Sequence, residues 1–169
     1  MRHCEGQLVD DKLIKWSNPA DIKPKPCDLI EFYRGKYCHW AMCSENLEYV
    51  YSVEAEDKTK TKAKVVLKKL IDVANAGEVP AHRVVRINNK IDSIKNKGFQ
   101  PKSVQESINA VKMVLNTYVP YNFLSTNCEY YCCIWKFGCG WTDQVEVPLQ
   151  TLLTNKPRNK NNSIDFFVF

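Results

Sequence analysis

The sequence predicts an α+β domain in which an antiparallel sheet packs against helices. Short runs rich in aromatic and β-branched residues fill the first part of the chain, and helical periodicity appears only later. A length of 169 residues suffices for one domain with one sizeable core.

Residues 1–22 read as a leader or a short partner helix ending near Asn18-Pro19. Pro24 and Pro26 then punctuate the approach to a strand from Asp28 to Tyr33, and Arg34-Gly35-Lys36 is a turn. A second strand is expected around Cys38–Cys43 and a third around Tyr49–Val53, with polar Ser44-Glu45-Asn46 between them. Residues 54–64 are dense in charge and threonine, as in a solvated loop or the tip of an exposed hairpin. Lys58, Lys60, Lys62 and Lys64 alternate there with threonine or alanine. Val65–Leu67 and Val84–Ile87 read as further strands, with Gly77 and Pro80 breaking the chain between them.

The clearest helix opens at Ser103-Val104-Gln105-Glu106, a capping box in which hydroxyl and carboxylate satisfy backbone N–H groups reciprocally. Val104, Ile108, Val111, Leu115 and Tyr118 recur at helical spacing, and Pro120 closes the run. A second helix is expected from Ser125-Thr126-Asn127-Cys128-Glu129 to about Phe137, stopped by Gly138 and Gly140. Beyond Val147-Pro148 the chain is polar and lysine-rich. The expected organisation is a leader over 1–22, a domain over 23–148 and a flexible tail over 149–169.

Hydrophobic residues make up 44% and charged residues 25%, which is globular rather than disordered usage. The net charge of +5 permits contact with an anionic surface without requiring it. The start of the chain lacks an apolar signal-peptide core, and of the eight cysteines Cys132 and Cys133 are adjacent. Free thiols in a reducing, cytoplasmic setting are therefore expected. No stretch approaches the ~18 apolar residues of a membrane span, so the chain is expected to be soluble or peripheral. A Gly-rich phosphate loop, a G-x-S-x-G elbow and an RNA-binding aromatic signature are absent, which excludes the chemistries those motifs carry. Neither a nucleic-acid partner nor a cofactor is expected.

Ser125-Thr126-Asn127-Cys128-Glu129 carries the chemistry. Thr126 and Glu129 fit S/T-x-x-E, which places Cys128 in the first turn of a helix. Backbone N–H groups and the positive end of the helix dipole favour a thiolate there. The same residue also fits a small buried side chain near a helix start. A nucleophilic thiol needs a base, and the candidates are His3 in the leader, His82 before a strand, and His39 within the strand Tyr37-Cys38-His39-Trp40-Ala41. His39 and Cys128 together would supply Cys–His acyl-transfer logic, although His39 also fits a core histidine bonded to backbone. Zinc is the third reading of the cysteines, but Cys128, Cys132, Cys133 and Cys139 lack paired C-x₂-C spacing.

Four segments in this order resemble the lecithin:retinol acyltransferase-like family: Lys25-Pro26-Cys27-Asp28-Leu29-Ile30-Glu31-Phe32-Tyr33-Arg34, then Tyr37-Cys38-His39-Trp40-Ala41-Met42, then Arg86-Ile87-Asn88-Asn89, then Asn127-Cys128-Glu129. Within it the likeness is to the small phospholipase A and acyltransferase branch, once described as Ras-suppressor-like, and it runs from about Ile22 to Val147. The resemblance implies a circularly permuted papain-like fold, Cys128 as nucleophile and His39 as general base. It implies attack on a glycerophospholipid ester at sn-1 or sn-2 through an acyl thioester, which is then passed to water, an amine or a hydroxyl.

The sequence departs from the family in four places. A second histidine is usual on the next strand, where this chain has Ser52 after a one-residue insertion, with Glu54 as a substitute on the same strand face. Cys27 stands for the usual glycine. Tyr130-Tyr131 follow Asn127-Cys128-Glu129 where the family has His-Phe. The polar segment Asn159–Ser163 stands where many relatives carry a hydrophobic anchor, so membrane contact is expected to be peripheral and lysine-mediated. The altered third position leaves two other readings: a weak or inactive member acting as an interaction module, and a thiol hydrolase of amides or peptides.

Overall fold

A computed structural model of the chain describes residues 15–55, 61–77, 80 and 83–144, with the backbone of two short strands, β1 (Leu8–Val9) and β2 (Lys12–Leu13). The main sheet holds β3 (Leu29–Tyr33), β4 (Cys38–Cys43), β5 (Tyr49–Ala55), β6 (Lys62–Lys69), β7 (Val85–Ile87) and β8 (Tyr118–Pro120). Its order is β7-β3-β4-β5-β6-β8 and its pairings are antiparallel. The helices are α1 (Leu70–Asn75), α2 (Ile91–Lys97), α3 (Val104–Lys112) and α4 (Cys128–Phe137).

Alternation along the strands splits the core in two. Leu29, Trp40, Met42, Tyr51, Val53 and Val65 face one side and pack with Ile108 and Val111 of α3 and Tyr131, Cys132 and Trp135 of α4. Ile30, Phe32, Ala41, Cys43, Val50 and Val85 face the other and meet Leu70, Val73 and Ala74 of α1. With both faces covered, the central strands read as near-continuous apolar runs. Each large side chain so buried contributes about 1.5–3 kcal/mol. The sheet is thereby a rigid plate on which α4 is held.

The expected strands stand, with β5 and β6 longer than anticipated because charged residues continue the ladder to Ala55↔Ala63. Lys62 and Lys64 belong to β6, whereas Lys58, Lys60, His3, His82 and the tail over 149–169 lie outside the described residues. The described part of 1–22 holds the β1–β2 pair rather than a helix, and Ser17 exchanges backbone hydrogen bonds of 2.8 and 3.0 Å with Val85. Helices α1 and α2 are short and break the periodicity that the sequence reading relied on.

The Ser103 capping box is present, with the Glu106 N–H donating to Ser103 Oγ. That helix stops at Lys112, earlier than its spacing suggested. Asn116 takes φ of 65°, turning the chain so that Tyr118–Pro120 becomes an edge strand on β6. Pro120 is tolerated at such an edge. Cys27 also sits at positive φ, 66°. Glycine is free of the Cβ conflict in that region. Among the described residues no helix is long and apolar enough to cross a membrane.

Gly138 ends α4 in the left-handed region, φ 79°, and the chain returns beneath Tyr130. A Cβ at Gly140 would lie 2.3 Å from the Tyr130 ring. Gly140→Ala is therefore expected to cost about 1–3 kcal/mol in urea unfolding, as overpacked sites do; an unchanged midpoint would contradict this packing.

Candidate active site

Helix α4 is capped by Asn127, one residue later than the S/T-x-x-E reading placed it. Asn127 Oδ1 accepts the Tyr130 N–H at 3.1 Å, and Nδ2 donates to Thr142 Oγ1 at 3.0 Å and to the Phe123 carbonyl at 3.2 Å. Glu129 is turned inward instead of reaching back to Thr126. Its buried carboxylate pairs with Lys90 and accepts the Thr142 hydroxyl. Lys90, at φ 56° before α2, also meets Asp143 at 2.6 Å. Burial opposes the charge of Lys90, but Glu129, with smaller help from Cys133 and Asp143, holds its pKa well above the ordinary range. Lys90 therefore stays charged, and its pairing with Glu129 pins the first turn of α4 to the α2 start.

The β4–β5 ladder covers Ala41↔Ser52 to Cys43↔Val50 and stops there. Hydrogen bonds alternate sides along an antiparallel strand. Cys43 bonds toward the β3 side through both its N–H and its carbonyl, so Trp40 and Cys38 point theirs toward β5. With the ladder open, the Cys38 N–H finds Gln144 Oε1 at 3.1 Å, and the Trp40 N–H is directed at the Cys128 sulfur. The sulfur thus touches the peptide unit that joins His39 to Trp40. It is a free thiol.

His39 lies on the Phe32 side of β4, their ring centroids 6.0 Å apart, and reaches across to β5. Its Nε2 is 2.8 Å from Ser52 Oγ. The structure therefore brings together Ser52 and His39, and seats Cys128 at the same end of β4. Glu54 does not serve His39, since it pairs with Lys68. His39 opens on a cleft of about 880 Å³, also lined by Arg34, Tyr37 and Tyr121.

Electrostatics correct one expectation. The helix start does not make the sulfur anionic. Burial raises the Cys128 pKa to about 11, outweighing the amides of Trp40, Glu129 and Cys128 itself, while the Glu129 charge adds to the rise. Burial also lowers the His39 pKa to about 3, with Arg34 and then Lys68 contributing. At neutral pH the site therefore holds a thiol and an imidazole, both uncharged.

Tyr121 was missed by the sequence reading. Its hydroxyl is within hydrogen-bonding reach of both the Cys128 N–H and the Cys128 sulfur, and burial followed by the sulfur's charge raises its pKa. Its backbone is fixed by an N–H bond to the Thr61 carbonyl at 2.9 Å. In the sequence Tyr121 is one aromatic after a proline, with no spacing rule to mark it. Lys90 was missed for the same reason, because buried lysines are rare. Cys132 and Cys133 are wholly buried in the core around α4. Among the described residues no group of three or more His, Cys, Asp or Glu could hold a metal ion.

Removing one partner of a buried ion pair strands the other charge, at about 3–5 kcal/mol. Lys90→Met is expected to lower unfolding stability by that amount in urea denaturation. A loss under ~1 kcal/mol would show that Glu129 does not depend on Lys90.

Comparison with known proteins gives a consistent picture. The family described as lecithin retinol acyltransferase matches residues 22–140. Human phospholipase A and acyltransferase 1 is 32% identical over 134 residues, covering 76% of this chain and 77% of its own length. Human phospholipase A and acyltransferase 5 is 28% identical over 149 residues, covering 83% of this chain and 50% of its own length. Human phospholipase A and acyltransferase 4 is 27% identical over 132 residues, covering 73% and 76%. The chain belongs to the lecithin retinol acyltransferase family.

Proposed function

We propose that this protein is a thiol-dependent phospholipase A and acyltransferase acting on glycerophospholipids, with Cys128 as nucleophile, His39 as general base and Ser52 as the residue that orients it. The observation that supports the reading is the seating of a free helix-start thiol against the Trp40 amide, the residue after His39 in β4, with His39 itself bonded to Ser52. The names of the relatives supply the substrate class and the reaction type. A histidine strand preceding the cysteine helix supports the permuted papain-like reading of the domain over 23–148, free thiols support a cytoplasmic setting, and the net charge of +5 suits peripheral contact with an anionic membrane.

The mechanism follows from the neutral resting pair. Nε2–H donates to Ser52 Oγ, which leaves Nδ1 as the nitrogen that accepts the Cys128 proton. Proton transfer accompanies attack of sulfur on the ester carbonyl, so no free thiolate accumulates. The tetrahedral oxyanion meets N–H groups at the α4 start. Collapse breaks the carbon–oxygen bond, the imidazolium returns its proton to the departing lysophospholipid oxygen, and an acyl thioester remains. Water, an amine or a hydroxyl then loses its proton to His39 and takes the acyl group as the carbon–sulfur bond breaks, and the imidazolium returns that proton to the Cys128 sulfur. Tyr121 donates to the sulfur and steadies the charge that develops there.

A second reading is favoured by one observation. An imidazole held near 3 is a weak base, and Ser52 replaces a histidine, both of which suit a slow enzyme or a binding module. Turnover of labelled phosphatidylcholine separates the two. Cys128→Ala and His39→Ala are each expected to reduce release of fatty acid or acylated acceptor by roughly a thousandfold or more, with far-ultraviolet circular dichroism unchanged. Wild-type protein with no turnover, or variants that keep it, would overturn the enzymatic reading. Tyr121→Phe removes a hydrogen bond to a charged acceptor, worth about 1.5–3 kcal/mol, and is expected to slow Cys128 alkylation by iodoacetamide about tenfold or more across pH 7–9. A superimposable profile would remove Tyr121 from the mechanism.

A further inference from the structure

Exposed apolar side chains are ordinary when scattered and informative when they collect. Here they collect. Tyr37, Leu67, Ile71 and Phe123 all line the cleft that His39 opens on, and they remain 40–45% exposed. Leu124, which follows Phe123, is 56% exposed. Five of the nine large apolar side chains exposed among the described residues thus gather at one opening. They come from separate segments: the β3–β4 turn, strand β6, helix α1 and the loop before α4.

Cations accompany them. Lys68 and Lys69 line the same cleft, and exposed Lys36 adjoins Tyr37. Of the two carboxylates there, Glu54 is taken by Lys68 and Asp72 lies on α1. The rim is therefore apolar with a slight positive excess.

We propose that this rim is a docking surface that seats the cleft mouth on an anionic phospholipid bilayer. The inference rests on the phospholipid reading of the site. A glycerol ester lies just below the headgroups of a bilayer, so a cleft that receives it must sit flush with that surface. Leu67, Ile71, Phe123 and Leu124 enter the interface, which removes apolar surface from water, while Lys36 and Lys69 face the anionic headgroups. A second copy of this chain is a poorer occupant, because each rim would bring its lysines against the other's.

Sedimentation binding to phosphatidylcholine vesicles, with and without phosphatidylserine, tests the surface. Ile71→Glu and Leu124→Glu lie on different elements, so misfolding of one leaves the other informative. Each is expected to weaken vesicle binding about tenfold, while for Leu124→Glu, outside the cleft lining, turnover of a short-chain phosphatidylcholine below its micelle concentration stays within about twofold of wild type. Lys69→Glu is expected to weaken binding about fivefold, and only to vesicles that contain phosphatidylserine. Vesicle binding equal to wild type in both glutamate variants would overturn the proposal. So would an equal loss of monomeric-substrate turnover in Leu124→Glu, which would make the rim part of the chemistry. Wild-type protein that binds vesicles through this rim but turns over neither substrate form would leave the docking surface in place and remove the catalytic reading.

Discussion

The Trp40 amide points into the opening between β4 and β5, and the Cys128 sulfur occupies that opening. The proposed chemistry depends on that contact. A strand pair that stayed zipped by one more residue would close the gap. A helix that started a residue later would leave the sulfur elsewhere on the α4 surface. Asn127 and the Lys90–Glu129 pair hold the helix start in register, and the apolar face of the sheet holds the helix body. His39 lies at the same end of β4 on its Phe32 face, where its ring meets Ser52 of β5.

Competing electrostatic effects determine the protonation of the site. A helix start contributes at most ~2 kcal/mol toward a charged form. Enclosing an ion in protein costs several. Burial therefore wins at Cys128, and the same argument with the opposite sign keeps His39 neutral. Under the proposed mechanism the site carries no buried charge at rest and develops it only during reaction, beside Tyr121 and the backbone amides. The arrangement also protects the thiol from adventitious oxidation, since thiolate is the reactive form.

Much of this was legible in the sequence. The β-branched and aromatic runs gave the central strands nearly to the residue, because a strand buried on both faces leaves little choice of side chain. His39, Ser52 and Cys128 were singled out from motif order, and the structure sets Ser52 Oγ 2.8 Å from His39 Nε2. What escaped was tertiary. Thr126 and Asn127 are both good caps, and the choice fell to Asn127 only because Thr142 and Phe123 satisfy its amide while Lys90 draws Glu129 inward. The end of α3 was hidden for a similar reason: residues 113–118 keep a helical apolar spacing, but the Asn116 N–H bond to Val65 at 2.8 Å draws the chain to the sheet. Tyr121 owes its place to the fold alone.

The most direct test is a search for an acyl group on Cys128. Wild-type protein mixed with acyl-labelled phosphatidylcholine, quenched in acid and digested, should yield the Cys128 peptide carrying one acyl group that hydroxylamine removes, and Cys128→Ala should yield none. Label on no cysteine while lysophospholipid accumulates, or label that persists in Cys128→Ala, would contradict the account.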